Sequence, residues 1–200
     1  EGDAGGVSFW ANQVATGAQT RRGVIQSFLA SAEFEGAIAP VARLYFAYFL
    51  RVPDYPGLNF WVGQFRNGSS LDTISDNFAA SGEFGSRYGA LDNTAFVTLV
   101  YQNVLARAPD GPGLAFWVGQ LNSGARTRGQ VMTGFSESPE YRALIANEVQ
   151  VTMAYAGMLR RAPDAPGFSF WVQYLDAGNG SGSLIDGFLA AAEYRARFLP

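Results

Sequence analysis

The 200-residue chain contains no cysteine, no histidine and no lysine; all fourteen of its basic residues are arginine. Each absence removes a chemistry. Without Cys there is no disulfide scaffold and no thiolate ligand. Without His there is no imidazole ligand and no Ser-His-Asp or Cys-His nucleophile pair, and without Lys there is no Schiff base. Catalysis would be left to carboxylates, Tyr, Ser, Thr and Arg. Charge is scarce too: 16% of residues are charged, for a net −3. That balance carries no electrostatic footprint for a polyanion, so no nucleic-acid partner is expected. No run approaches the ~18 consecutive apolar residues of a membrane span, and no signal-peptide pattern opens the chain. What is present is 48% hydrophobic residues, enough for a real core, and 24 glycines, a share above the ordinary ~7%.

The glycines fall in a repeat. Four Trp sit in one setting, D-x-x-G-x-x-F-W, beginning at Asp3, Asp54, Asp110 and Asp164. At a nearly constant distance beyond each Trp stands a Phe (Phe28, Phe78, Phe135, Phe188), and five residues beyond that an acid precedes an aromatic at Glu33, Glu83, Glu140 and Glu193. The distance from Asp to Glu agrees among all four blocks to within one position, whereas the distance from Glu to the next R-x-P-D arginine (Arg51, Arg107, Arg161) changes by several. A rigid block with an elastic connector is how insertions distribute in a repeat array. The period is a little over fifty residues, which divides the chain into a partial first repeat (1–36) and fuller repeats at 37–88, 89–143 and 144–200. The first copy lacks the R-x-P before its Asp, so the chain is expected to be a segment of a longer protein.

Three helices are expected per unit. Val41, Leu44, Tyr45, Tyr48 and Phe49 form an apolar stripe at helical spacing, repeated by Val97, Val100, Tyr101, Val104 and Leu105 and by Val151, Ala154, Tyr155, Met158 and Leu159. Pro53, Pro109 and Pro163 should end this first helix. The Asp of D-x-x-G should cap a second helix, with Leu58, Trp61, Val62 and Phe65 on one face and a Gly closing it at Gly68, Gly124 and Gly178. Capping-box spacings at Ser69-x-x-Asp72, Thr127-x-x-Gln130 and Ser183-x-x-Asp186 should start a third. Ser31, Ser81 and Ser138 before the Glu read as further caps, and Ala191 in the fourth copy should leave its last turn weakest. No segment alternates with period two. The fold class is therefore all-α: tandem three-helix repeats packed as a helical array or a compact bundle.

The pattern R-x-P-D-x-x-G-x-x-F-W-V-x-Q-L, preceded by the Val-Tyr-Leu helix and followed by G…F-L-x-S-x-E-F, resembles the bacterial domain-of-unknown-function family numbered 4214, in four copies over nearly the whole chain. The resemblance implies small, tandem helical units in large exported or surface-associated proteins, sometimes beside calcium-binding repeats, adhesin segments or polysaccharide-related enzymes, with a distant likeness to the linker domains of phycobilisomes. It implies an accessory or interaction module of extracellular or cell-surface location. The Tyr usual before the Trp is Phe9, Phe60, Phe116 and Phe170 here, so any hydrogen bond from that ring is lost.

The candidate binding residues are Arg51, Asp54, Phe60, Trp61 and Gln64, then Arg107, Asp110, Phe116, Trp117 and Gln120, then Arg161, Asp164, Phe170 and Trp171. Trp on the apolar face of the second helix is expected in the core. The Phe before it points about 200° from Leu58 on the helical wheel, toward a neighbouring helix or toward a ligand. An aromatic ring beside an amide suits a sugar, which offers C–H groups to the ring and hydroxyls to the amide; Tyr174 stands where the fourth Gln would be. The Arg, three residues before the Asp, reads as a structural clasp on the helix ends or as the rim of a polar cleft. D-x-x-G supplies one carboxylate where a calcium loop needs several, and Gly178–Gly182 lacks the Lys of a phosphate loop. No metal and no cofactor is expected. The function expected is noncatalytic recognition of a glycan or surface polysaccharide. An assembly scaffold that binds protein or itself stands second, and a carboxylate-based glycoside hydrolase third.

Overall fold

The stripe of the first helix makes the core. In the computed structural model, which describes residues 3–197, Val41, Leu44 and Tyr48, then Val97, Val100 and Val104, then Val151 and Ala154 are completely buried. The first repeat supplies α1 (Ala4–Ala15) and α2 (Arg21–Leu29). Next come α3 (Ala32–Phe49), α4 (Tyr55–Arg66), α5 (Leu71–Ala79) and α6 (Gly82–Tyr88). The third repeat holds α7 (Asn93–Leu105), α8 (Gly111–Asn122), α9 (Arg128–Ser136) and α10 (Pro139–Leu144). The fourth holds α11 (Ala146–Ala154), prolonged by a π-helical turn over Tyr155–Leu159, then α12 (Ala165–Asp176), α13 (Gly182–Ala190) and α14 (Ala192–Ala196).

The unit thus has four helices rather than the three expected. The Ser before each Glu starts a short helix of its own: Ser31, Ser81 and Ser138 accept hydrogen bonds from the backbone N–H of Phe34, Phe84 and Tyr141. In α3 that short helix runs straight into the next first helix, with Pro40 inside. Ala191 offers no side-chain cap, and α14 spans only 5 residues.

Other boundaries differ by a residue or a turn. The first helices stop at Phe49, Leu105 and Leu159, well before the prolines. The residue that follows each turns left-handed: Leu50 (φ 49°), Ala106 (φ 51°) and Arg160 (φ 54°). Such a residue ends a helix by folding its amide back on the last turn, so Pro53, Pro109 and Pro163 only fix the exit of the chain. The second helices close on Gly68, Gly124 and Gly178 at positive φ, as expected. Ser70, not Ser69, caps α5 through the Thr73 amide, because it lies one residue nearer the first helical turn. Thr127 makes the expected capping box with Gln130, whereas α13 begins at Gly182, so Ser183 lies inside it and caps nothing.

Third helices pair across repeats. At the crossing of α5 and α9, a Cβ on Gly129 would meet the Asp76 backbone nitrogen at 2.5 Å and the Asp72 carbonyl oxygen at 2.6 Å. The Gly129 amide donates to Asp76 Oδ1 (2.7 Å), and its carbonyl accepts from Ser75 Oγ, which also shares a hydrogen bond with the Tyr48 hydroxyl. The homologous pair is α2 with α13, joining the first repeat to the fourth. Six residues before the phased Phe, Arg22 stands where α9 has Gly129, and it forms a two-pronged ion pair with Asp186, the counterpart of Asp76. Two cores result. One draws on α3 to α10 with Val149 and Met153 of α11, the other on Val151 and Ala154 of α11, the π-helical turn, α12 and α13, with Ile25 and Leu29 of α2. Contacts of α3 with α11 and a Phe46–Phe168 stack join them. Because α2 returns to α13, the repeats form a closed bundle of two lobes rather than an open array.

Gly129→Ala is expected to cost about 2 kcal/mol, since the new methyl meets backbone that cannot yield. Ala106→Gly is expected to gain about 1 kcal/mol by releasing a left-handed alanine. Denaturant midpoints at constant slope would measure both.

Candidate functional site

Four copies of D-x-x-G build four copies of one joint. The side chains of Asp3, Asp54, Asp110 and Asp164 accept from the backbone amides of Gly6, Gly57, Gly113 and Gly167 at 2.7, 2.8, 2.8 and 2.9 Å, capping α1, α4, α8 and α12. The glycine has a second reason. A Cβ on Gly57, Gly113 or Gly167 would come within 2.6, 2.5 or 2.5 Å of the hydroxyl of Tyr45, Tyr101 or Tyr155. The tyrosine of each first helix thus seats its hydroxyl end in the notch left by a missing side chain. Burial, reinforced by the Asp54 carboxylate, pushes the Tyr45 phenol up to about 12, so it stays protonated.

The arginine locks the joint from outside. Arg51 lies over the Tyr45 ring (5.1 Å) and donates from Nε and Nη2 to both carboxylate oxygens of Glu83 at 2.7 and 2.8 Å. It also donates to the Val52 carbonyl and stands 3.6 Å from Asp54. Arg161 repeats this with Tyr155, Glu193, the Ala162 carbonyl and Asp164. Arg107 lies over Tyr101 at 5.2 Å but, among the described residues, makes no ion pair with Glu140 or Asp110. The hydrogen bond from Arg51 lowers the Glu83 carboxyl below its ordinary range, and Arg161 does the same to Glu193. Glu83 and Glu193 were visible in phase with the motif but not as partners of Arg. A signal was there: Glu83, Glu140 and Glu193 follow Arg51, Arg107 and Arg161 at distances that agree to within one position.

Farther along the same helices runs an aromatic ridge. Phe9, Phe60, Phe116 and Phe170 are 55%, 57%, 55% and 59% exposed. Each meets its neighbouring Trp edge to face, at 5.1, 4.9, 5.0 and 4.9 Å between centroids. Trp10, Trp61, Trp117 and Trp171 are half-buried rather than interior as expected: one side of each rests on the phased Phe of the third helix, the other supports the exposed ring. In the second repeat α4 packs on the core through Leu58 and Val62, which rotates Trp61 to its rim. Gln64 and Gln120 are half-buried one turn beyond the Phe, and their amides make no hydrogen bond among the described residues. In the fourth copy Tyr174 stacks on Phe170 and donates to Ser183.

Motif residues therefore form two groups on each second helix. Arg51, Asp54 and their counterparts make a clasp at its start, and Phe60, Trp61, Gln64 and theirs make a ridge two turns on; no hydrogen bond or ring contact joins Arg51 to Phe60. A cleft of about 620 Å³ opens elsewhere, between α2, α3, α10, α11 and α13, with Gln26, Arg43, Arg142, Gln150, Met153 and Ile185 on its walls. The buried Arg43 is already neutralised by a two-pronged bond to Glu137 (2.7 and 2.5 Å). Among the described residues no group of acidic residues could hold a metal, and no helix is long and apolar enough to cross a membrane.

Residues 1–38, 75–145 and 141–198 match a family described as a domain of unknown function, DUF4214. No curated protein and no solved structure matches the chain.

A solvent-screened pair such as Arg51–Glu83 contributes about 0.5–1 kcal/mol, and Glu83→Gln is expected to lose it at pH 7. Because the folded carboxyl titrates below the unfolded one, the contribution is complete above about pH 4.3 and is lost as the pH falls through the lower folded value. Denaturation curves of the two proteins, apart at pH 7, should converge on acidification. Glu140→Gln, which breaks no ion pair, should change stability by less than about 0.5 kcal/mol.

Proposed function

The chain belongs to the family of the domain of unknown function DUF4214, and we propose that it is a noncatalytic module that binds carbohydrate, a cell-surface or matrix polysaccharide, outside the bacterial cell. The observation that carries this reading is the exposure of Phe9, Phe60, Phe116 and Phe170, each held edge-on by a half-buried Trp. A single exposed ring needs no partner, but the same ring exposed in four equivalent places marks a surface kept for contact. A pyranose ring covers such a platform with its C–H face, and the unpartnered amides of Gln64 and Gln120 can exchange hydrogen bonds with its hydroxyls. Rigid aromatic anchors lose little conformational entropy on binding. Four weak platforms on one bundle suit a polymer, since linked sites gain avidity wherever the ligand spans them.

The clasp is unsuited to glycoside hydrolysis. A general acid must keep its proton near the working pH. Arg51 and Arg161 hold Glu83 and Glu193 in the ionised form, and the Gly167 amide, helped by Arg161, does so for Asp164. In the second and fourth repeats those carboxylates are committed to helix ends and ion pairs, so there the ridge is the part of the motif free to meet a ligand.

Titration with a panel of soluble polysaccharides, followed by Trp emission, should show saturable binding to at least one. The combined Phe60→Ser, Phe116→Ser and Phe170→Ser variant should bind it about a hundredfold more weakly with an unchanged thermal midpoint. Flat emission across the panel, together with self-association that the same variant abolishes, would instead make the ridge a protein interface.

A further inference from the structure

The two lobes treat one position differently. Where α3 meets α9, Arg43 donates through Nε and Nη2 to both carboxylate oxygens of Glu137. Arg43 stands eight residues before Arg51, and Glu137 two after the phased Phe135. Because α2 with α13 repeats the pairing of α9 with α5, the matching residues of the other lobe are Met153, eight before Arg161, and Ala30, two after Phe28. A methionine and an alanine thus replace two long charged side chains. Both line the cleft of about 620 Å³ between α2, α3, α10, α11 and α13, a volume within the range of small-molecule sites. Among its walls Leu184 and Ile185 are each 1% exposed, and Leu29 and Met153 add to the apolar lining.

The cleft also holds an unanswered donor. The Arg43 side chain is 7% exposed and lies on the cleft wall, yet its third nitrogen, Nη1, makes no hydrogen bond among the described residues. A guanidinium N–H withdrawn from water needs an acceptor. Charge on the walls is balanced: Glu137 neutralises Arg43, and Arg142 and Glu35 bring one charge of each sign. An ion of either sign would therefore give up its hydration without a net opposite charge to receive it. We propose that the cleft binds an uncharged amphipathic small molecule, whose carbonyl oxygen accepts from Arg43 Nη1 and whose apolar body lies on Leu29, Met153, Leu184 and Ile185. The amides of Gln26 and Gln150 stand on the same walls for a second polar group. A sugar would leave hydroxyls against that apolar lining, so this ligand differs in kind from that of the ridge.

The test uses the intact chain and the uncharged fluorescent dye phenylnaphthylamine, displaced by octanamide, octanoate or octylammonium. Saturable one-to-one dye binding is expected, with the amide displacing it at least about tenfold better than either ion. Ala30→Glu with Met153→Arg rebuilds the ion pair of the other lobe and should abolish dye binding with circular dichroism unchanged. Ala146→Trp, at the exposed rim, should weaken it about tenfold by a second route. Arg43→Met with Glu137→Met removes the donor and its partner together, so it should weaken octanamide about tenfold and leave the dye, which has no oxygen, unchanged. Absence of saturable binding, equal displacement by the three competitors, or dye binding that survives both cleft-filling variants would overturn the proposal. So would loss of dye binding in the combined Phe60→Ser, Phe116→Ser and Phe170→Ser variant, which would place the dye on the ridge.

Discussion

Everything in this bundle hangs on the seating of a tyrosine hydroxyl against a glycine. The first helix can lie across the start of the second only because Gly57, Gly113 and Gly167 have no side chain at the point of approach. With the Tyr seated, the stripe above and below it is drawn onto Leu58, Phe78 and their counterparts, and burial of those side chains supplies the stabilisation. The Asp that precedes the glycine caps the helix the Tyr packs on, and the Arg that follows the first helix covers the Tyr ring. One short motif thus terminates a helix, starts another, sets their crossing and covers the contact with charge.

The second level of organisation is pairwise. A four-helix unit leaves one flank of its third helix uncovered, and a neighbouring third helix covers it. Between the middle repeats the approach is closest, backbone to backbone at Gly129, and it is satisfied by hydrogen bonds to Asp76 and Ser75. Between the first and fourth repeats Arg22 separates the helices, and an ion pair replaces the backbone contact. The same position therefore carries a packing solution in one lobe and an electrostatic one in the other.

Much of this was legible in the residues. Period, helix types, Asp and Ser caps and glycine ends follow from spacing, because they are local and their partners lie within four residues. The exposure of the off-face Phe was one of two alternatives that the wheel position left open. What spacing could not supply was contact between distant segments: the return of α2 to α13, the cleft whose walls come from all four repeats, and the long-range Arg51–Glu83 bond. Local errors had local causes. Two adjacent serines compete for one cap at Ser69 and Ser70, and a left-handed residue ends the first helix before proline can. The Trp stripe was misplaced because Leu58 and Val62, smaller and closer to the axis of burial, take the interior and leave Trp61 at its edge.

If the seated Tyr is what holds each unit, the first repeat, in which no Tyr among the described residues meets Gly6, must be the least stable part of the bundle. Native-state amide exchange resolved by residue tests this directly. Amides of Val7 to Val14 and Val24 to Phe28 should open at distinctly lower free energy than their counterparts in α4 and α5. Equal protection of the two sets would contradict it, and would mean that pairing of α2 with α13 suffices without an entering helix.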